Sequence, residues 1–113
     1  MRTRKYAVKQ DANHTAIVNG LRKLGYAVLD LKSLGGGAPD LLVIKTTADV
    51  TRKFISPVLK TTNFIYRDRL WLVEIKTKEG RLSPLQLKWR ENWTGPQPIM
   101  ARSLEDLLSQ IQG

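Results

Sequence analysis

The sequence has no cysteine, which excludes a disulfide scaffold and any thiolate-ligated zinc site. Long apolar runs are also missing. Leu41–Ile44 and Leu70–Val73 hold four residues each, against the ~20 that a membrane-spanning helix requires. The basic stretch from Met1 to Val8 leads into no apolar segment of signal-peptide length. A soluble chain in the cytoplasm is the expectation. Acid is scarce: ten Asp and Glu face nineteen Lys and Arg, a formal charge of +9. Such an excess attracts polyanions, nucleic acid first and an acidic membrane surface second.

What is present suits one small domain over residues 1–113. With 42% hydrophobic and 26% charged residues, neither a disordered nor a collagen-like chain fits. The basic charge is clustered. Arg2, Arg4, Lys5 and Lys9 precede the first acid, residues 45–69 carry six bases against Asp49 and Asp68, and Lys76, Lys78, Arg81, Lys88 and Arg90 face only Glu79. Three such clusters can converge on one polyanion-binding face, with ordinary solubilising charge as the plainer account.

Hydrophobic spacing predicts a first helix starting near Asp11 or Asn13, with Ile17, Leu21 and Leu24 as its stripe and Gly25 at its end. Tyr26–Leu31 reads as a strand, Ser33–Pro39 as a glycine-rich turn, and Leu41–Ile44 as a buried strand. Residues 45–69 read as a peripheral insertion, either a hairpin or short extra elements. Leu70–Lys76 is the clearest strand. Ser83-Pro84 opens a helix that runs to about Trp93, Pro98–Ala101 is a short strand, and Leu104, Leu107, Leu108 and Ile111 form the stripe of a closing helix. This order predicts an α/β fold, a central mixed β-sheet flanked by α-helices. Trp71 is expected to face the core. Trp89 and Trp93, four apart on one helix face, are expected to pack there too, with base stacking as the lesser alternative.

Two acids occupy unusual positions. Asp40 stands at the mouth of an apolar strand and Glu74 near the end of another, with Lys76 on the same face as Glu74 by strand alternation. Charges there are costly to desolvate unless paired. A divalent cation held by two carboxylates would pair them, and a lysine beside it can stabilise charge developing at phosphorus. Gly35–Gly37 either let backbone amides approach a phosphate or simply make a tight turn.

Taken in order, Asp11-Ala-Asn-His14, Gly35-Gly-Gly-Ala-Pro-Asp-Leu-Leu-Val43, Leu72-Val-Glu-Ile-Lys76 and Leu82-Ser-Pro-Leu-Gln86 resemble the VRR-NUC domain of the PD-(D/E)XK nuclease superfamily. Small standalone members of that family are phage-encoded and bacterial nucleases. The resemblance implies a restriction-endonuclease-like fold and a Mg²⁺- or Mn²⁺-dependent endodeoxyribonuclease. It implies Asp40, Glu74 and the main-chain carbonyl of Ile75 as metal ligands, Lys76 as the water-orienting residue, and Gln86 as a helix residue reaching the site. Gln86 also has a plain alternative as a solvated helix residue. Family members carry a glutamate on the first helix, a register that lands near Ala16 here; Asn13 or His14 is the substitute this sequence offers. DNA contacts are expected from Arg4, Lys5, Lys9, Gly36, Gly37, Lys78, Arg81 and Lys88.

A domain this small has little surface for reading a long sequence, so branched DNA such as a Holliday junction is the expected substrate. Two symmetric cuts then call for a homodimer, in a bacterial or phage-infected cell. Residues 45–69 are the candidates for dimer contacts or for gripping a DNA arm. The missing helix carboxylate keeps a second reading open, a weakly active or inactive DNA-binding module derived from a nuclease. A basic RNA-associated protein is the third, and it leaves the Gly-Gly-Gly-Ala-Pro-Asp and Glu-Ile-Lys pattern unexplained.

Overall fold

The computed structural model describes the backbone of residues 4–55, 57–58 and 62–112, and the side chains of residues 12–48, 55, 57–58 and 66–112. The elements run α1 (Arg4–Lys23), β1 (Ala27–Asp30), a 3-10 turn (Lys32–Leu34), β2 (Leu41–Ile55), β3 (Thr62–Ile75), α2 (Pro84–Asn92), β4 (Ile99–Ala101) and α3 (Leu104–Ile111). The four strands form one sheet in the order β1-β2-β3-β4. The first two pairings are antiparallel and β3–β4 is parallel. A parallel pair needs a crossover connection, and α2 supplies it. The fold is therefore mixed α/β, as the sequence predicts.

Strand alternation separates two faces. Leu41, Val43, Val73 and Ile75 are fully buried with Ile17 and Leu21 of α1 and Leu107 and Ile111 of α3. Each such side chain contributes roughly 1.5–3 kcal/mol. Gly20 lets α1 and α3 close together, because a Cβ there would collide with Leu104. Trp71 packs against this core from β3, edge-on to Tyr26. Glu74 is on the opposite face, where α2 stands.

Helix α1 begins at Arg4, not at Asp11 or Asn13. The stretch Arg4–Gln10 contains no proline or glycine, so the good cap formers at 11 and 13 lie inside a longer helix, and Asn13 is used elsewhere. Of the two readings of residues 45–69, the structure takes the hairpin. It extends β2 and β3 far beyond the core, with Lys45 opposite Arg69 and a register shift between Asp49 and Lys53. β1 pairs only with Leu41–Ile44 and β4 only with Val73–Ile75. Among the described residues, the rest is thus a two-stranded arm with no third strand. A strand of 15 residues spans about 50 Å, which accounts for the 61 Å long axis and a radius of gyration of 17.6 Å, against about 13 Å for a compact chain of this length. No helix among the described residues is long and apolar enough to cross a membrane.

Candidate active site

The start of β2, the end of β3 and the first turn of α2 meet at one point. The Asp40 N–H donates to the Val73 carbonyl at 3.0 Å, and its side chain turns back so that Oδ2 accepts from the Ile75 N–H at 2.8 Å. This fixes the carboxylate beside the Glu-Ile-Lys strand. The N–H and C=O of one strand residue face the same neighbour, so the Ile75 carbonyl is turned to the Asp40 side.

Glu74 is 2% exposed, which is rare for a carboxylate. Its Oε1 accepts from Gln86 Nε2, while Oε2 is buried and receives no N–H or hydroxyl donor. Burial, with the Asp40 carboxyl as its hydrogen-bonding and electrostatic neighbour, pushes the Glu74 carboxyl up from 4.5 to about 8; Lys76 and Arg90 act in the opposite direction. An acid held this way is short of positive charge.

Gln86 is placed by its own helix start. Ser83 is the N-cap, its Oγ accepting from the Gln86 N–H at 3.2 Å, and Gln86 Oε1 accepts from the Ser83 N–H at 2.8 Å. This closed capping box leaves the amide nitrogen of Gln86 aimed at Glu74. Lys76 is buried at 6% exposure, and its N–H donates to the Ala101 carbonyl at 3.0 Å. Gly37 backs onto the same turn of α2. It has φ +84°, and a Cβ on it would stand 2.7 Å from the Leu85 carbonyl carbon, so only glycine fits.

Asp40, Glu74, Ile75, Lys76 and Gln86 are therefore brought together, but the two α1 substitutes have other partners. Asn13 Nδ2 donates to the main-chain carbonyls of Lys76 and Arg102 at 3.3 and 3.2 Å, tying α1 to the strand ends. His14 is buried and pairs through Nε2 with Asp30 Oδ2 at 3.3 Å. The Lys32 N–H holds the Asp30 carboxyl below its usual range, with burial opposing and His14 adding to the effect. Ala16 is exposed. Lys78, Arg81 and Lys88 are exposed and follow the site strand along the chain. Gly37 lines the crevice with Glu74 and Gln86, whereas Gly36 borders a cavity on α2; Arg4, Lys5 and Lys9 lie outside the described side chains.

Two residues escaped the sequence reading. Arg90 is one helical turn after Gln86, a spacing that places both on one face, so periodicity was an available signal. Its Nη1 donates to the Pro98 carbonyl at 3.0 Å, its Nη2 is buried without a partner, and it lines a narrow crevice with Glu74, Gln86 and Trp89. Arg102 clamps the loop after β3 through Nη1, which donates to the carbonyls of Thr77 at 2.5 Å, Lys78 at 3.1 Å and Gly80 at 2.7 Å. Nothing local in the sequence announces that role.

The expected core packing of Trp89 and Trp93 is corrected. Helix α2 buries none of its residues, and the two indoles stack on each other at 5.0 Å beside a surface cavity. Helical spacing placed them on one face correctly, but that face does not meet the core.

The donor set suits a hard divalent cation. Mg²⁺ takes one or two carboxylates and fills its remaining positions with water and phosphate oxygens. The donor-free Glu74 Oε2, the adjacent Asp40 carboxyl and the Ile75 carbonyl match that demand. No group of three or more Asp, Glu, His or Cys side chains that could hold a metal ion converges among the described residues. No protein-family model, curated protein or solved structure matches the chain.

Proposed function

We propose that the chain is a metal-dependent endodeoxyribonuclease of the VRR-NUC type, with a PD-(D/E)XK fold, that hydrolyses phosphodiester bonds in branched DNA such as Holliday junctions. The observation that carries this reading is the buried Glu74 carboxyl, one oxygen without a donor, standing against Asp40 in a chain of charge +9. Two buried acids side by side repel when both are charged, and a cation between them would relieve that repulsion.

Mg²⁺ or Mn²⁺ held by Asp40, Glu74 and the Ile75 carbonyl would supply Lewis acidity and activate water. Ile75 N–H holds Asp40 in place, and Gln86 fixes the rotamer of Glu74. Lys76 orients the attacking water and offsets negative charge growing on the phosphorus centre. Water adds to phosphorus as the 3′ oxygen leaves, giving a 5′-phosphate and a 3′-hydroxyl. Lys78, Arg81 and Lys88 take the flanking backbone, and the β2–β3 arm grips a DNA arm. Two symmetric cuts at a junction require two copies of the chain, in the cytoplasm of a bacterial or phage-infected cell.

An exposed Ala16 at the α1 register where members of that family carry a glutamate favours one alternative, a nuclease-derived module that binds DNA without cutting it. A panel of junction, nicked, duplex and single-stranded DNA with Mg²⁺ separates the two. The nuclease cuts the junction in preference, and Glu74→Ala does not; the binding module leaves every substrate intact while holding it with a steep salt dependence.

A further inference from the structure

Beside the carboxylates, on the outer face of α2, is a cavity of about 330 Å³ lined by Gly36, Leu85, Lys88, Trp89, Asn92 and Trp93. Its size is at the low end for ligand pockets, enough for one nucleoside and too small for a base pair within a duplex. Its walls are unusual for a helix surface. The two indoles stack at 5.0 Å with their planes 21° apart. Trp93 is 39% exposed yet locked, with Nε1 donating to the Pro96 carbonyl at 2.8 Å and Gly95 so close that a Cβ there would meet the ring. Trp89 lines this cavity and also the crevice that contains Glu74 and Gln86.

We propose that this cavity is a nucleobase subsite, which receives an unpaired base of the nucleotide next to the phosphate held at Asp40 and Glu74. The location of the phosphate rests on the nuclease reading above; the affinity for a base rests on the cavity itself. Trp89, three residues after Gln86 in α2, stands in the wall shared by the cavity and the crevice that contains Glu74. Aromatic faces take any base. The Asn92 amide offers both donors and an acceptor to a base edge, and Lys88 is a counter-charge for the flanking phosphate. Because the indoles are already ordered, docking a base immobilises little of the protein.

This subsite also supplies a means of choosing branched DNA. A base inside a duplex must be unstacked before it can enter, whereas one at a branch point, bulge or frayed end is already free. Selectivity for branches then comes from a pocket for what paired DNA hides.

The test measures binding by the intact chain carrying Glu74→Gln, in EDTA, so that neither metal nor cleavage enters. Three duplexes are compared: fully paired, with a one-nucleotide bulge, and with the same bulge made abasic. The bulge bearing a base is expected to bind about tenfold tighter than the abasic one, and 2-aminopurine placed there to lose fluorescence. Trp93→Ala should abolish that difference while leaving affinity for paired duplex unchanged, and Trp93→Phe should retain part of it. Equal binding of base and abasic bulges by the chain with both tryptophans intact overturns the subsite, with no variant needed. Base-dependent binding without cleavage by the unmutated chain under any metal would sink the nuclease reading and leave the subsite standing.

Discussion

Gln86 donates its amide nitrogen to Glu74 Oε1 while its own Oε1 closes the cap of α2. One side chain thus links the start of a helix to the orientation of a buried acid. Gln86→Ala removes both interactions. The lost half of the capping box costs about 0.5–1 kcal/mol. Without its donor, the charged form of Glu74 is harder to maintain, so divalent-ion affinity should fall by about 10–100-fold. Isothermal titration with Mn²⁺ and a thermal melt measure the two effects separately.

The raised carboxyl of Glu74 makes stability depend on pH in an unusual direction. In EDTA, folded and unfolded chains both carry the proton below about pH 4.5. Between there and about 8 the folded state keeps a proton that the unfolded chain has lost, so stability should fall as pH rises through that window and level off above it. Glu74→Gln should flatten the curve, and so should Mg²⁺. At pH 7, binding one Mg²⁺ should release close to one proton, measurable by calorimetry in two buffers of different ionisation enthalpy.

Asn13 is a tether rather than a ligand. Its amide holds the carbonyls of Lys76 and Arg102, so Asn13→Ala should cost about 1–3 kcal/mol. The loss should be the same in EDTA and in Mg²⁺. A loss confined to the metal-loaded protein would restore Asn13 as a substitute for the missing glutamate.

Much of the site was legible in the sequence because its signals are local. Ser83-Pro84 and Gln86 carry their cap in four residues, and strand alternation alone puts Glu74 and Lys76 on one face. The hairpin was not resolved from its alternative because adjacent apolar pairs such as Phe54-Ile55 and Phe64-Ile65 defeat a two-residue period, and the strands change register between Asp49 and Lys53. The start of α1 at Arg4 is hidden from the sequence because cap-forming residues such as Asp11 and Asn13 signal a helix end only where the chain stops being helical. Arg102 gathers three carbonyls from 22 to 25 positions away, a contact that no window of sequence reveals.

The arm can be removed without touching the core. Joining Thr46 to Asp68, which are paired across the hairpin, through an Asn-Gly turn keeps every strand residue that contacts β1 or β4. Circular dichroism should show the same fold with a melting temperature within a few degrees of the parent, since an isolated two-stranded ribbon adds little stability. Affinity for junction DNA should fall and its salt dependence become shallower. Unchanged DNA binding would free the arm from that role.

The central claim is that Asp40 and Glu74 hold a divalent ion that cuts DNA. Single-turnover cleavage of a labelled four-way junction with Mg²⁺ or Mn²⁺ tests it most directly, using the parent chain, Asp40→Asn and Glu74→Gln, all confirmed folded. Both substitutions conserve shape while removing charge. The account predicts metal-dependent cleavage by the parent and a loss of about a thousandfold or more in each variant. Equal cutting by parent and variants, or an intact junction with the parent under both metals, would contradict it.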